Sequence, residues 1–274
     1  LKNADIDLVF SNSSVPIARV QTNRPKIFWT DAIWQGMRDY YAGTFARPTE
    51  SSDHYASRQE IEALQNVDLA VYTSDWAAAT AGQLSSHSKI RVIPRGPNIS
   101  VSHSEADLHA LLAKRRGPVC RLLFVGVDWE RKGGDIAVET VRLLNRQGFP
   151  SRLRVIGAIP KGAIPEFVDA EGFINRSTAT GRDRLNQVYA EADFFILPTK
   201  AEAGGIVFSE ASAFGVPSLT YNTGGVPEYV HEGVNGFLFP PGTSAALFAE
   251  RIRSIYEDGN AYNTLCVNTF SEYS

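Results

Sequence analysis

The chain has 274 residues, 43% of them hydrophobic and 21% charged, and a net charge of -3 at pH 7. That length can bury a sizeable core and divide into two domains of ordinary size. The slight acidity argues against a nucleic-acid protein, no apolar run reaches the length of a membrane span, and no signal-peptide pattern opens the sequence, so a cytoplasmic location is expected.

In chain order, IDLVFS, KIFWT, DLAVYT and IRVIP read as strands of a first part, and RLLFVGV, LRVIG, FFILP and PSLTY as strands of a second. Helix-like patterns fall between them, the alternation expected of parallel sheets covered on both faces, an α/β architecture. Asp5 and Asp7 form a two-acid spacing that can hold a divalent metal, but this spacing arises often by chance, and it leads into the first strand as an exposed entrance. Asp31 ends KIFWT and reads as a cap for the next helix, with a place facing a substrate hydroxyl as the alternative. Between IRVIP and RLLFVGV, a segment with two prolines and a polar run precedes a short amphipathic helix. The boundary placed there gives domains of 1–105 and 106–274. Lys114, Arg115 and Arg116 close that helix and read as a solvated end, the alternative being a peripheral membrane contact. Asn98-Ile99-Ser100 fits a glycosylation acceptor without any sign of secretion.

Two segments of the second part carry chemistry. In RLLFVGVDWERKGGD a strand ends at Gly126, a loop brings Glu130, Arg131 and Lys132, and a helix follows with Ile136, Val138, Val141 and Leu144 on one face. Cations thus sit at the carboxyl end of a strand, the ligand-binding edge of an open parallel sheet. In ADFFILPTKAEAGGIVFSEASAFG a strand ends at Pro198, and a helix carrying Ile206, Val207, Ala211 and Phe214 starts behind Gly204 and Gly205. A helix start offers unpaired N–H groups and partial positive charge, and glycines let an anion approach closely, so the amides around Ala203, Gly204, Gly205, Ile206 and Val207 suit a phosphate. Glu202 lies in the loop and Glu210 eight residues on, in the helix. A carboxylate accepts hydrogen bonds from a diol, so one could hold a ribose and the other a sugar; the plain alternative is two solvent-exposed glutamates. The helix DRLNQVYAEA puts Leu185, Val188 and Tyr189 on one face.

Other classes lose their motifs. No Gly-x-Gly-x-x-Gly, P-loop or Gly-x-Ser-x-Gly elbow occurs, since Ala163 and Ile164 follow Gly162 where a P-loop needs lysine and a hydroxyl residue. His54, His87, His103, His109 and His231 have no zinc spacing, no metal site is expected, and Cys120 and Cys266 read as packing residues.

The stretch from Ala192 to Gly242, with its Glu-x7-Glu pair, AFGVPSL turn, GGVPE element and NGFLFPPG close, resembles the carboxy-terminal signature of the GT-B glycosyltransferases of family 4. The resemblance extends to LLFVGVDWERKGG and KIRVIPRG and, more weakly, to DLVFSNSSVP and KIFWTDA. It implies two Rossmann-like parallel-sheet domains, the first incomplete at its start, with the usual closing helix of the second missing. The implied activity is retaining transfer of a sugar from a nucleoside-diphosphate sugar to a carbohydrate, lipid-linked or other hydroxyl acceptor, without a cofactor or obligatory metal. In that family the lysine matching Lys132 contacts the diphosphate. Lys132 and Glu202 are therefore the catalytic candidates, and Gly126, Arg131, Ala203, Gly204, Gly205, Ile206, Val207 and Glu210 the donor-binding ones. The family's arginine after the strand glycine is replaced here by Val127. Arg131 could substitute, since its planar fork binds phosphate oxygens in pairs. Alternatives are a nucleotide-sugar epimerase of the same architecture and a donor-binding subunit without transferase competence.

Overall fold

The structure, a computed structural model, describes residues 5–41, 48–85, 89–99, 104–159 and 162–273. Ser100 of the glycosylation reading, His87 and His103 lie outside the described residues. Contacts group the chain into two units, one of Leu1–Arg95 with Ala201–Gly204 and Gly224–Glu228, the other of Gly96–Lys200, Gly205–Thr223 and Tyr229–Ser274.

In the first unit the elements run β1 (Val9–Ser11), α1 (Ser14–Ile17), β2 (Lys26–Thr30), α2 (Trp34–Tyr40), α3 (Glu50–Asn66), β3 (Leu69–Tyr72), α4 (Asp75–Gly82) and β4 (Ile90–Val92). The strands pair in parallel in the order β1-β2-β3-β4. Phe28 and Tyr72 meet edge to face at 5.7 Å between centroids, in a core that includes Ile17, Ile33, Ala63 and Leu64. Helix starts are set by short polar side chains. Thr49 accepts from Ser52 N at the head of α3, and Ser74 from Ala77 N at the head of α4. Asp31 does not cap α2, contrary to the sequence reading: the N-cap is Ile33, with no side-chain bond, and Asp31 is exposed just beyond β2. Asp5 and Asp7 are exposed ahead of β1.

The second unit runs α5 (Glu105–Lys114), β5 (Cys120–Gly126), α6 (Trp129–Lys132), α7 (Gly134–Arg146), β6 (Ser151–Gly157), β7 (Val168–Gly172), α8 (Ala179–Glu191), β8 (Phe194–Leu197), α9 (Ile206–Ser212), β9 (Ser218–Tyr221), β10 (Gly236–Phe239), α10 (Ala245–Glu257) and α11 (Gly259–Tyr273). Its sheet is parallel, in the order β10-β9-β8-β5-β6-β7. The chain leaves β5 toward β6 and β7, then returns to the other side of β5 for β8, β9 and β10. The order therefore reverses between β5 and β8, and in doubly wound sheets such a switch point opens a crevice at the carboxyl ends of the strands. All four residues of β8 and of β9 are buried. A fully buried Phe or Leu contributes roughly 1.5–3 kcal/mol relative to exposure, so these central strands hold the unit together.

Arg115 departs from the expected solvated helix end. It is buried, and its guanidinium donates to the carbonyls of Ala190 (3.2 Å), Gly215 (3.0 Å) and Phe214 (2.8 Å), which closes the end of α8 and the turn after α9. Such carbonyls carry the partial negative charge of a helix end, which a cation satisfies. Arg116 lies 5.8 Å from the Tyr256 ring. Both cysteines are buried and free, and burial pushes the Cys120 thiol up and the Cys266 thiol up to about 11. Among the described residues, no helix is long and apolar enough to cross a membrane.

Candidate functional site

β5 and β8 deliver their chemistry from neighbouring carboxyl ends. After Gly126, Asp128 caps the single turn of α6 by accepting from Arg131 N at 3.1 Å. Gly133 then takes a left-handed conformation, with φ 76°, that ends α6 and starts α7. A Cβ on Gly133 would stand 2.2 Å from the carbonyl oxygen of Pro198, so the turn packs directly on the exit of β8. Lys200 N donates to the Arg131 carbonyl at 2.8 Å, a second tie between the same two segments. Lys132 lays its aliphatic stem along bare Gly126, where a Cβ would come within 3.1 Å of its Cγ. Gly126, Arg131 and Lys132 are thus brought together with Pro198 and Lys200 at the exit of β8.

Arg131 is neither spread into solvent nor uncommitted. Its side chain is 19% exposed, and its Nε donates to Asp128 Oδ2 at 3.1 Å. Burial pushes the Asp128 carboxyl up, but the bonds from the Arg131 backbone and side chain outweigh that and hold it below the usual carboxylate range.

α9 begins behind Gly205, with Ile206 and Val207 half-buried in its first turn. Glu210 is fully buried, and neither of its oxygens is without a partner. Arg176, in the loop after β7, donates from Nη1 to Oε1 and from Nη2 to Oε2 (2.9 Å), and the Tyr189 hydroxyl donates to Oε2 at 2.8 Å. Burial works against the Arg176 charge, yet the carboxylate keeps its pKa above the ordinary value; burial and then Glu210 push the Tyr189 hydroxyl well up. Spacing within α9 places Glu210 on a helix and says nothing of Arg176, which lies 34 positions upstream.

Glu202, Ala203 and Gly204 group with the first unit. The amides of Glu202 and Ala203 donate to the hydroxyls of Tyr40 (2.9 Å) and Tyr41 (2.7 Å) at the end of α2, and the Glu202 carbonyl accepts from Gly225 N at 2.8 Å. A Cβ on Gly204 would lie 3.6 Å from Asp31 Cβ. Glu228, which ends the GGVPE element, accepts from Asp75 N at 2.9 Å at the head of α4. Neither tyrosine was visible as a partner in the sequence, because 162 positions separate each from the amide it meets.

A cavity of about 150 Å³ opens at the opposite, amino-terminal edge of β5 and β6. Its cations are paired with carboxylates there, Arg121 with Asp193, Arg152 with Asp169, and Arg154 with Glu171 and Glu191. Among the described residues no group of three His, Cys, Asp or Glu side chains is placed to hold a metal ion.

Two parallel α/β units, the second with basic and acidic groups gathered at its switch point, define a GT-B glycosyltransferase fold. Residues 119–258 match the family described as Glycosyl transferases group 1, and the chain belongs to that family. Among curated proteins it is 30% identical over 149 residues to the amylovoran biosynthesis glycosyltransferase AmsK of Erwinia amylovora, a match that covers 48% of this chain and 35% of AmsK. The chain thus spans about a third of that relative's length. Among solved structures it resembles sucrose-phosphate synthase from Thermosynechococcus elongatus (TM-score 0.72, 23% identity, 97% of this chain and 68% of that one). It also resembles Anabaena HepE in complex with UDP and glucose (TM-score 0.67, 21% identity, 98% and 73%). These likenesses establish the fold.

Proposed function

We propose that the chain transfers a sugar from a nucleoside-diphosphate sugar to a hydroxyl acceptor, a carbohydrate or lipid-linked alcohol, with retention at the anomeric carbon. One observation carries the reading: at the β5/β8 reversal, Lys132 lies against open Gly126 beside the segment leading into α9, which bears the buried Glu210. The ammonium of Lys132 neutralises the diphosphate as the glycosidic bond breaks, with Arg131 beside it, and the amides from Gly204 to Val207 serve the phosphates, the Ala203 amide being taken by the Tyr41 hydroxyl. Glu202, in the loop that joins β8 to α9, holds a hydroxyl of the donor sugar. Glu210 and its arginine form the ribose end. With a protein cation at the leaving group, no divalent metal is required. The acceptor oxygen attacks from the face the diphosphate leaves, forming the new C–O bond, and its proton passes to the departing phosphate oxygen. AmsK by its name supports glycosyl transfer, and HepE by its bound UDP and glucose supports a nucleotide-sugar donor. Buried free thiols suit a cytoplasmic setting.

A second reading has its own support. Val127 stands 70% exposed where the family resemblance expects a diphosphate-binding arginine, as in a protein that binds the donor without transferring it. Thermal-shift titration with UDP, GDP, ADP and TDP identifies the base, since a bound ligand raises apparent stability by mass action. With the matching sugar donor, Lys132→Ala is expected to lower turnover about 100-fold, the size of effect seen when one preorganised donor to developing charge is lost, with little change in nucleoside affinity. Unchanged turnover overturns the role of Lys132. Binding with neither transfer nor donor hydrolysis favours the second reading.

A further inference from the structure

Glu210 is the carboxylate expected to meet the ribose, yet its side chain has no exposed surface, whereas the side chain of Arg176 is 34% exposed. Of the five N–H donors of a guanidinium, Arg176 uses two on Glu210, and its other three have no partner among the described residues. The geometry points to Arg176 as the group that contacts the donor's nucleoside, donating to its ribose hydroxyl oxygens, while Glu210 and Tyr189 act through it as positioning residues. This rests on the reading of the second unit as the nucleotide-binding one.

Four features support the assignment. The carboxylate holds both terminal nitrogens of the fork, which fixes the guanidinium plane. Tyr189 is fully buried and stacked on Phe214 at 5.7 Å, so its hydroxyl holds Oε2 from a rigid base. The backbone of the loop is tied to α8, because Arg182 donates to the carbonyls of Arg176 (3.3 Å) and Ser177 (3.1 Å). The charge of Arg176 is already matched by Glu210. A neutral pair with spare N–H groups suits uncharged hydroxyl oxygens, whereas a phosphate calls for net positive charge. Apolar side chains for a base stand nearby in the topology: Val127, Ile159 and Phe173 are 70%, 65% and 75% exposed just past the carboxyl ends of β5, β6 and β7. Val127 then belongs to that apolar edge.

The test is isothermal titration of the chain and its variants with UDP, GDP and ADP, the 2′-deoxy and 3′-deoxy forms of whichever binds, and pyrophosphate. Arg176→Met is expected to weaken the nucleotide about tenfold, the loss of one or two hydrogen bonds, and to leave pyrophosphate affinity unchanged. The variant should also bind the ribo- and deoxynucleotides alike. Arg176→Lys keeps a charge over Glu210 without the fork, so it guards against a folding failure; a several-fold loss confined to the nucleotide is expected. If either variant binds the nucleotide more tightly, Arg176 is a cover that ligand displaces from Glu210, and the assignment is overturned. It is equally overturned if affinity is unchanged or if pyrophosphate weakens in parallel. Should the wild-type chain bind no nucleotide, the reading of the unit fails rather than the role of Arg176 within it.

Discussion

Replacing Gly133 by alanine tests how the Lys132 turn is held. Two costs are legible. With φ at 76°, any residue with a Cβ is strained, at roughly 1–2 kcal/mol. The added methyl would also stand 2.2 Å from the Pro198 carbonyl oxygen and 2.8 Å from its carbon, backbone atoms at the exit of a fully buried strand that cannot swing aside as a side chain would. Overpacking of that kind costs typically 1–3 kcal/mol, for a total of about 2–5 kcal/mol. Gly148 is the control: its φ is 73° and a Cβ there meets nothing within 4 Å, so Gly148→Ala should show the backbone cost alone. At roughly 2–4 °C per kcal/mol for a domain of this size, the two variants should melt several degrees apart. Trp129 reports the transition. Its ring lies against Gly134, its indole N–H donates to Asp135 at 2.7 Å, and the other three tryptophans, Trp29, Trp34 and Trp76, belong to the first unit. Urea unfolding followed by its fluorescence gives the difference directly. Equal stability of the two variants, within about 0.5 kcal/mol, would refute the packing of α6 against Pro198.

Two further outcomes are expected. Burial raises the Glu60 carboxyl above 4.5 despite bonds from Ser14 and the Trp34 amide, so the folded chain holds this proton longer than the unfolded one. Stability from this group is therefore full below 4.5 and is lost as pH rises through the folded value, and Glu60→Gln should gain stability relative to wild type across that window. A pH-independent difference between their melting curves removes the argument. The cysteines should resist a thiol reagent at pH 8 in the native chain and both react in denaturant, given the buried Cys120 and the Cys266 thiol at about 11; rapid native labelling of either contradicts the packing.

The central strands were legible because both of their faces are covered. FFIL and SLTY are buried at every residue, and FFIL reads as the unbroken apolar run of a strand covered on both faces. The two strands that the apolar runs did not single out, β7 and β10, are the edges of the six-stranded sheet. In β7 only Val168 is buried, and VDAEG carries acids that pair with Arg152 and Arg154. At the candidate site, the placing of Gly126 and Lys132 on one turn was readable because that turn is local in the sequence. The surroundings of Glu210 were not, because the arginine over it comes from another loop and the tyrosine beneath it from α8. Arg115 was misread for the same reason: local composition makes a solvated end, and only the tertiary fold supplies carbonyls 75 to 100 positions away.

The inward turn of Arg115 has a consequence at a distance. Tyr189 and Glu210 ride on α8 and α9, and one guanidinium moors the tails of both helices. The stretch leading into β5 therefore sets the spacing of the two helices on which Tyr189 and Glu210 meet. Loss of the guanidinium at position 115 is expected to loosen the Tyr189–Glu210 contact before it disturbs the turn that carries Lys132.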